Sequence, residues 1–418
     1  MTVLNLAWRG SGSVAASALC TVLALAQSGA SPVGPLRTAP RETLTVNPGF
    51  RDWGPATITG TTILAGNSSN RGGLFAVDTL TGKVKWTSRP SGYGNPWVAT
   101  APAVSGDIVI TIMHNTLVAL SLATGRETWR GPATMQEATV AVSSGLAYVL
   151  GDDANFYALE VATGRERWKV AFRRAGSCHA LPIVREGSVY VSAMVLDRPA
   201  DANRSAEASE HLFALDATTG QERWRYPQAG SGSACLEQPI VTADTFYGVR
   251  SQALYAVHLG TGRERWKPVE VRRPVEGRVR GVAIAGLVDA GSVVIGMTPG
   301  SLIAFDKSTG QTAWEIAGQY SVGSPSTAVA GGVLYFQGHP GAPPAAEVQG
   351  RVLYSGGRAV NQPAALPPGT LNALDLGTRT VLWSFSRPTA EPNWPFGFVT
   401  LFDGGLWVDS YQALVKLQ

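Results

Sequence analysis

The stretch Leu74-Phe75-Ala76-Val77-Asp78-Thr79-Leu80-Thr81-Gly82-Lys83-Val84-Lys85-Trp86 decides the fold, because it recurs. Six later copies of apolar-x-Ala-apolar-x-x-x-Thr-Gly-x-x-x-Trp end at Trp129, Trp168, Trp224, Trp266, Trp314 and Trp383. Each keeps the small residue (Ala119, Ala158, Ala214, Ala256, Ala304, Ala373), and all but the last keep Thr-Gly, where Thr378-Arg379 stands instead. An apolar run closed by a Thr-Gly turn and followed by a second strand reads as a β-hairpin. Glycine at the turn supplies positive φ without steric cost. An Asp three residues before the Thr offers its carboxylate to the N–H groups of the turn, as at Asp78, Asp216, Asp306 and Asp375. Ser121 and Glu160 are weaker substitutes, and His258 departs from the pattern. The Trp falls on the outer strand, where its ring is expected to wedge between neighbouring units with the indole N–H on a backbone acceptor.

The Trp-to-Trp spacings of about 40 to 70 residues leave room for two further strands per unit. A four-stranded unit repeated radially is a propeller blade, and closing the ring protects sheet edges that an open stack exposes. The ends of the chain supply the count. Three strands follow Trp383 (Phe398–Leu401, Leu406–Val408 and Ala413–Leu417), and Leu44-Thr45-Val46 is a spare strand ahead of the first repeat. Joining them makes an eighth blade, in preference to a seven-bladed ring with a loose strand trio. The expected fold is therefore all-β, an eight-bladed propeller of four-stranded antiparallel blades.

Composition agrees. Of 418 residues 48 are Gly and 26 Pro, 44% are hydrophobic, and only 15% are charged, which suits short strands and tight turns. The net charge of +4 is spread without a Lys/Arg run, so no nucleic-acid partner is expected. Residues 1–26 read as a signal peptide, with Arg9 in the n-region, an apolar Val14–Ala26 and a small-residue site at Ala24-Leu25-Ala26. Leu19 ahead of Cys20 is not the small residue of a lipoprotein signal. Residues 27–42 read as a flexible lead-in and 43–418 as the propeller. The mature chain has no further apolar stretch long enough to span a membrane, so a soluble periplasmic or secreted monomeric ring is expected.

The pattern Ala-x-Asp-x-x-x-Thr-Gly-x-x-x-Trp resembles the tryptophan-docking repeat of pyrroloquinoline-quinone (PQQ)-like propellers, over nearly the whole mature chain. That superfamily includes quinoprotein alcohol dehydrogenases and the propeller subunit of the outer-membrane β-barrel assembly machine, so membership alone does not give function. Resemblance to the dehydrogenases implies adjacent cysteines over the quinone, a calcium site, a catalytic Asp and often a haem domain. This chain has no Cys-Cys pair and no Cys-x-x-Cys-His motif. The expected function is a non-catalytic binding or scaffolding propeller that engages an envelope or extracellular protein, with no catalytic residue, metal or cofactor. The alternatives are a PQQ-dependent dehydrogenase, which brings PQQ and calcium, and a polymer-acting envelope enzyme.

In a propeller the inter-blade connections and the turns joining second to third strands share one face, opposite the Thr-Gly turns. Residues 194–210 lengthen blade 4 there, and residues 337–370, rich in Pro, lengthen blade 7. The inter-blade segments place Arg51, Trp53, Trp97, Gln136, Glu137, Cys178, His179, Glu237, Gln238, Arg278, Arg280, Tyr320, Asn393 and Trp394 near the axis. Such a ring, mixed in sign and aromatic, suits a flat anionic or sugar-like ligand, or is a hydrated channel mouth. Cys178 and Cys235 each precede a Pro-Ile-Val strand start by four residues, which makes them a candidate cross-blade disulfide or two separate thiols. The five histidines show no ligand spacing and read as surface or turn residues, and Asp152-Asp153-Ala154-Asn155 reads as a turn cap.

Overall fold

A computed structural model describes residues 34–46, 53–67, 72–89, 98, 100–134, 139–172, 182–198, 207–227, 239–250, 252–275, 278–298, 300–320, 327–340, 353–355, 358–360, 370–386, 399–402, 405–410 and 413–418. Every regular element among them is a β-strand. Blade 1 runs Trp53–Thr59, Thr62–Asn67, Leu74–Asp78, Val84–Ser88, its strands hydrogen-bonded in chain order. Blades 2 to 5 repeat this plan and end on the outer strands Glu127–Thr134, Glu166–Ala171, Glu222–Pro227 and Glu264–Glu270. Blade 6 ends on Thr312–Tyr320 and blade 7 on Thr380–Phe385. Blade 8 takes Val399–Phe402, Gly405–Ser410 and Ala413–Leu417 from the tail and Glu42–Val46 from the head, with Thr45 opposite Val415 and Val46 opposite Leu414. Arg41 and Gln418 exchange two backbone bonds of 2.7 and 2.9 Å beyond that pairing. The ring is thus eight-bladed and closed by its two terminal segments.

Each blade is buried on both faces, which is why its middle strands read as continuous apolar runs such as Leu212-Phe213-Ala214-Leu215. The interior is accordingly divided into eight apolar clusters, one at each junction of neighbouring blades. Leu64, Ala76, Val109 and Leu120 join blades 1 and 2, and Val46, Trp407 and Leu414 meet Ile63 and Val77 where blade 8 returns to blade 1. Small residues at the repeated Ala positions let these sheets approach, and all seven are fully buried.

At one face, here the turn face, the carboxylates of Asp78, Asp216, Asp306 and Asp375 each accept two backbone N–H bonds and one Thr hydroxyl bond from their own turns. His258 takes the same role through Nδ1, which accepts from the N–H of Gly260 at 3.1 Å. The residue after each cap donates its N–H back to the turn between the first and second strands, as Thr79 does to Thr61 and Ala217 to Gly187, so both turns are latched at one end of the blade. The indole N–H of Trp86, Trp129, Trp168, Trp224 and Trp266 then donates to that residue's carbonyl in the following blade, at Leu122, Val161, Ala217, Leu259 and Lys307. The Trp168 ring lies on Gly220, whose φ is +75 and whose added Cβ would stand 2.8 Å from the ring. Trp314 lies in the core between blades 6 and 7 with Leu376, and there the turn position is Arg379, which adopts φ 61. Blade 8 has no such Trp, and Leu44 of the head strand covers Gly82 in its place.

Residues 34–41, part of the lead-in, run along blade 7. Leu36 donates its N–H to the Tyr335 hydroxyl and accepts the indole N–H of Trp383, while Arg37 forms an ion pair with Asp375 and donates to the Gly331 carbonyl.

Candidate functional site

The face opposite the latched turns is where the blades differ. In blade 2 the second and third strands are joined by the two residues His114 and Asn115, both at positive φ. In blade 3 the turn is held by Asp153, whose carboxylate accepts from the N–H and amide of Asn155 and from the Tyr157 hydroxyl. Burial pushes the Asp153 carboxyl up, but these bonds outweigh it and hold the group below its usual range. Burial and the bond to Asp153 together push the Tyr157 phenol up to about 12. The Asp153 carboxylate is therefore engaged within its own turn.

Blade 4 departs most. Its second and third strands, Ser188–Arg198 and Glu207–Asp216, stay paired out to Arg198 opposite Glu207, so residues 194–198 and 207–210 of the insertion continue the sheet as a projecting hairpin. At its root Glu210 is fully buried, and the Ser192 hydroxyl donates to its carboxylate. Beside them the Ser209 hydroxyl and His211 Nε2 are 2.9 Å apart, with His211 9% exposed. His211 is thus a strand residue in the interior, not a surface or turn histidine. A buried carboxylate is costly unless hydrogen-bonded, so this pair fixes the geometry of the root. Phe213 on the same strand stacks on Phe172 of blade 3 at 4.5 Å and lies under the Arg225 guanidinium at 5.1 Å.

Blade 7 is braced differently. Its second strand runs on to Pro340 and pairs with the outer strand of blade 6, Gly318 opposite Pro340 and Tyr320 opposite Gly338. Asn372 donates to the carbonyls of Gly338 and Thr370 and accepts from the Ser384 hydroxyl. The insertion contains a short hairpin, Leu353–Ser355 with Arg358–Val360.

Between blades 5 and 6 a separate hairpin rises, Arg272–Val275 with Arg278–Gly281. Gln252, from the turn joining second and third strands of blade 5, lies against Gly281 and places the hairpin on this same face.

Of the residues read from the sequence as ligand candidates, Arg278 and Arg280 share that hairpin, Tyr320 ends the outer strand of blade 6, and Trp53 opens the inner strand of blade 1 opposite Asn67. Arg51, Trp97, Gln136, Glu137, Cys178, His179, Glu237, Gln238, Asn393 and Trp394 lie outside the described residues, as does the Cys178–Cys235 pair. Sequence reading missed Ser192 and Glu210, because a Glu in a polar insertion looks solvated; the apolar run Met194-Val195-Leu196 is the signal that the strand continues. Among the described residues no three His, Cys, Asp or Glu side chains converge as metal ligands, and no helix is long and apolar enough to cross a membrane.

The family profile described as outer membrane protein assembly factor BamB matches residues 35–139, 113–339 and 250–396. A curated relative, the serine/threonine-protein kinase AfsK of Streptomyces griseus, is 30% identical over 148 residues, which is 34% of this chain and 16% of the kinase. The chain thus spans only a small part of that relative's length. Among solved structures, BamB from Moraxella catarrhalis aligns over 67% of this chain and 79% of its own, with 19% identity and a TM-score of 0.50. A europium-containing methanol dehydrogenase aligns over 88% and 84%, with 14% identity and a TM-score of 0.60. At these identities both structures show a shared fold.

Proposed function

The chain belongs to the propeller family described as outer membrane protein assembly factor BamB, and on that premise we propose that it is an exported, non-catalytic binding propeller that engages a protein of the cell envelope. The observation that carries this reading is the asymmetry between its faces. One face is a set of similar turns, latched by the same backbone bonds in each repeat and capped by Asp in four of them, which leaves little to vary. The other carries the blade 4 hairpin extended to Arg198 and Glu207, the Arg272–Gly281 hairpin and the blade 7 insertion. Long elements on a rigid ring are where recognition concentrates. The buried Ser192–Glu210 bond serves this role by holding the blade 4 hairpin at a fixed angle. This reading requires no cofactor, and its monomeric ring acts outside the cytoplasm.

Photo-cross-linking residues introduced at Arg198, Glu207 and Asp152 on the loop face, and at Leu80 and Arg126 on the turn face, test it in the native host. Discrete protein adducts from the first set and none from the second are expected; adducts from neither set, or equally from both, count against it. Incubation with PQQ and calcium separates the dehydrogenase alternative. No quinone absorbance and no alcohol-dependent dye reduction are expected, and appearance of both would favour the enzyme.

A further inference from the structure

The Arg272–Gly281 hairpin has features that ring closure does not call for. Its ten residues hold four arginines and one glutamate, 4 − 1 giving a charge of +3. Its base is secured: Val271 and Val282 belong to the core between blades 5 and 6, and the Val282 N–H donates to the Val271 carbonyl at 2.8 Å. Above the base the strands place Arg273 directly opposite Arg280. Like charges at opposed positions destabilise a strand pair. The protein relieves only one side. Arg273 is drawn to Glu315 of blade 6 at 2.5 Å, and Arg272 to Glu270 at 2.8 Å. Arg280 is exposed, with no ionic partner among the described residues, and its neighbour Val279 is 66% exposed, one of four large hydrophobic side chains exposed among the described residues.

The backbone adds a direction. Bonded and non-bonded pairs alternate along an antiparallel ladder, and the bond at Val271 and Val282 makes Arg273 with Arg280 a bonded pair and Pro274 with Val279 a non-bonded one. The N–H and C=O of Val279 therefore point to the outer edge. On the opposite edge the equivalent residue is Pro274, which has no N–H to give. Among the described residues the hairpin pairs with no third strand.

We propose that the Arg278–Gly281 strand is a docking edge for an extended, acidic segment of a partner protein, which pairs with the Val279 backbone, sets carboxylates against Arg280 and covers the Val279 side chain. Main-chain bonds at a sheet edge supply affinity and the alternating side chains supply selectivity. This rests on the protein-binding reading above and assigns it a partner chemistry.

The test titrates the full-length protein with a fluorescein-labelled peptide of alternating Glu and Val, read by fluorescence anisotropy at low and high salt. Binding is expected to fall about tenfold with Arg280→Glu, the loss of one charge-assisted contact. It is expected to weaken for a peptide N-methylated at alternate residues, which keeps the charge and removes strand pairing. Arg280→Lys retains binding to within a few fold. Unchanged circular dichroism and thermal midpoint in these surface variants exclude misfolding. The proposal is overturned by no binding of the peptide, by equal binding to Arg280→Glu, by equal binding of the N-methylated peptide, or by Arg280-dependent retention on phosphatidylglycerol vesicles without peptide binding. Adducts from Arg198 and Glu207 are scored separately, so protein binding can stand while this docking edge falls.

Discussion

The indole N–H of Trp383 donates a 2.8 Å hydrogen bond to the carbonyl of Leu36, 347 residues earlier in the chain. In blades 1 to 5 the acceptor is the residue after the cap in the following blade. Blade 8 is where the chain is cut, and Leu36 stands in for the turn that the cut removes. Trp383→Phe keeps most of the ring and loses this bond. A loss of about 1–3 kcal/mol in urea unfolding is expected. Deleting residues 1–40 should lower the cost of Trp383→Phe to its packing part, by about 1 kcal/mol, and an additive loss would show that Leu36 is not the partner that matters.

Turn glycines divide by what lies over them. Gly220→Ala drives a methyl into Trp168 at a residue with φ +75, whereas at Gly106, φ +58, nothing lies within 4 Å. Gly220→Ala is expected to cost about 2–5 kcal/mol, overpacking added to left-handed strain, and Gly106→Ala about 1–2 kcal/mol. Chemical denaturation of the two variants side by side checks the ranking.

Acid should loosen the turn face. The Thr81 N–H and its companions hold the Asp78 carboxyl at about 2, Arg223 and the Thr219 N–H hold Asp216 at about 2, and the Thr378 N–H and Arg37 hold Asp375 at about 2. Carboxyls depressed in the folded state stabilise it above their unfolded pKa of about 3.9, and that contribution disappears as pH falls towards the folded value. The thermal midpoint should be level above about pH 5 and drop between about pH 4 and 2. Asp78→Asn should lower the plateau and flatten the drop, and an unchanged acid limb in that variant would assign it to other groups.

Much of the fold is legible in the sequence because its determinants are side chains in register. Ala76 and its six equivalents, the Asp caps and the Trp positions each mark one physical need, and Leu44-Thr45-Val46 shows itself as a strand lacking a partner. The strap at Leu36 is not legible, since its contact with Trp383 runs through a carbonyl that any residue carries, and Pro35 and Pro40 argue for a loose segment. The candidate site is less legible than the fold. Arg278 and Arg280 are brought onto one hairpin, but pairing of Arg273 with Arg280 depends on register, and Glu210 gives no sign of burial until its strand is seen to continue.

The root of the blade 4 hairpin offers a stability test. Ser192→Ala removes a donor from a buried carboxylate and is expected to cost about 1–3 kcal/mol. In the Glu210→Gln background the same substitution should cost measurably less, so that a double-mutant cycle reports coupling between them. Independent effects would mean that Ser192 contributes only by packing.

Because Glu42–Val46 precedes every other described strand of the ring in the chain and its neighbour Ala413–Leu417 follows every other, the last seam cannot form until all eight blades have been made. A chain that stops short leaves Glu42–Val46 as a bare ribbon beside blade 1, an edge that proteases and quality control can sense. Only a product carried through to its last strand hides that flag.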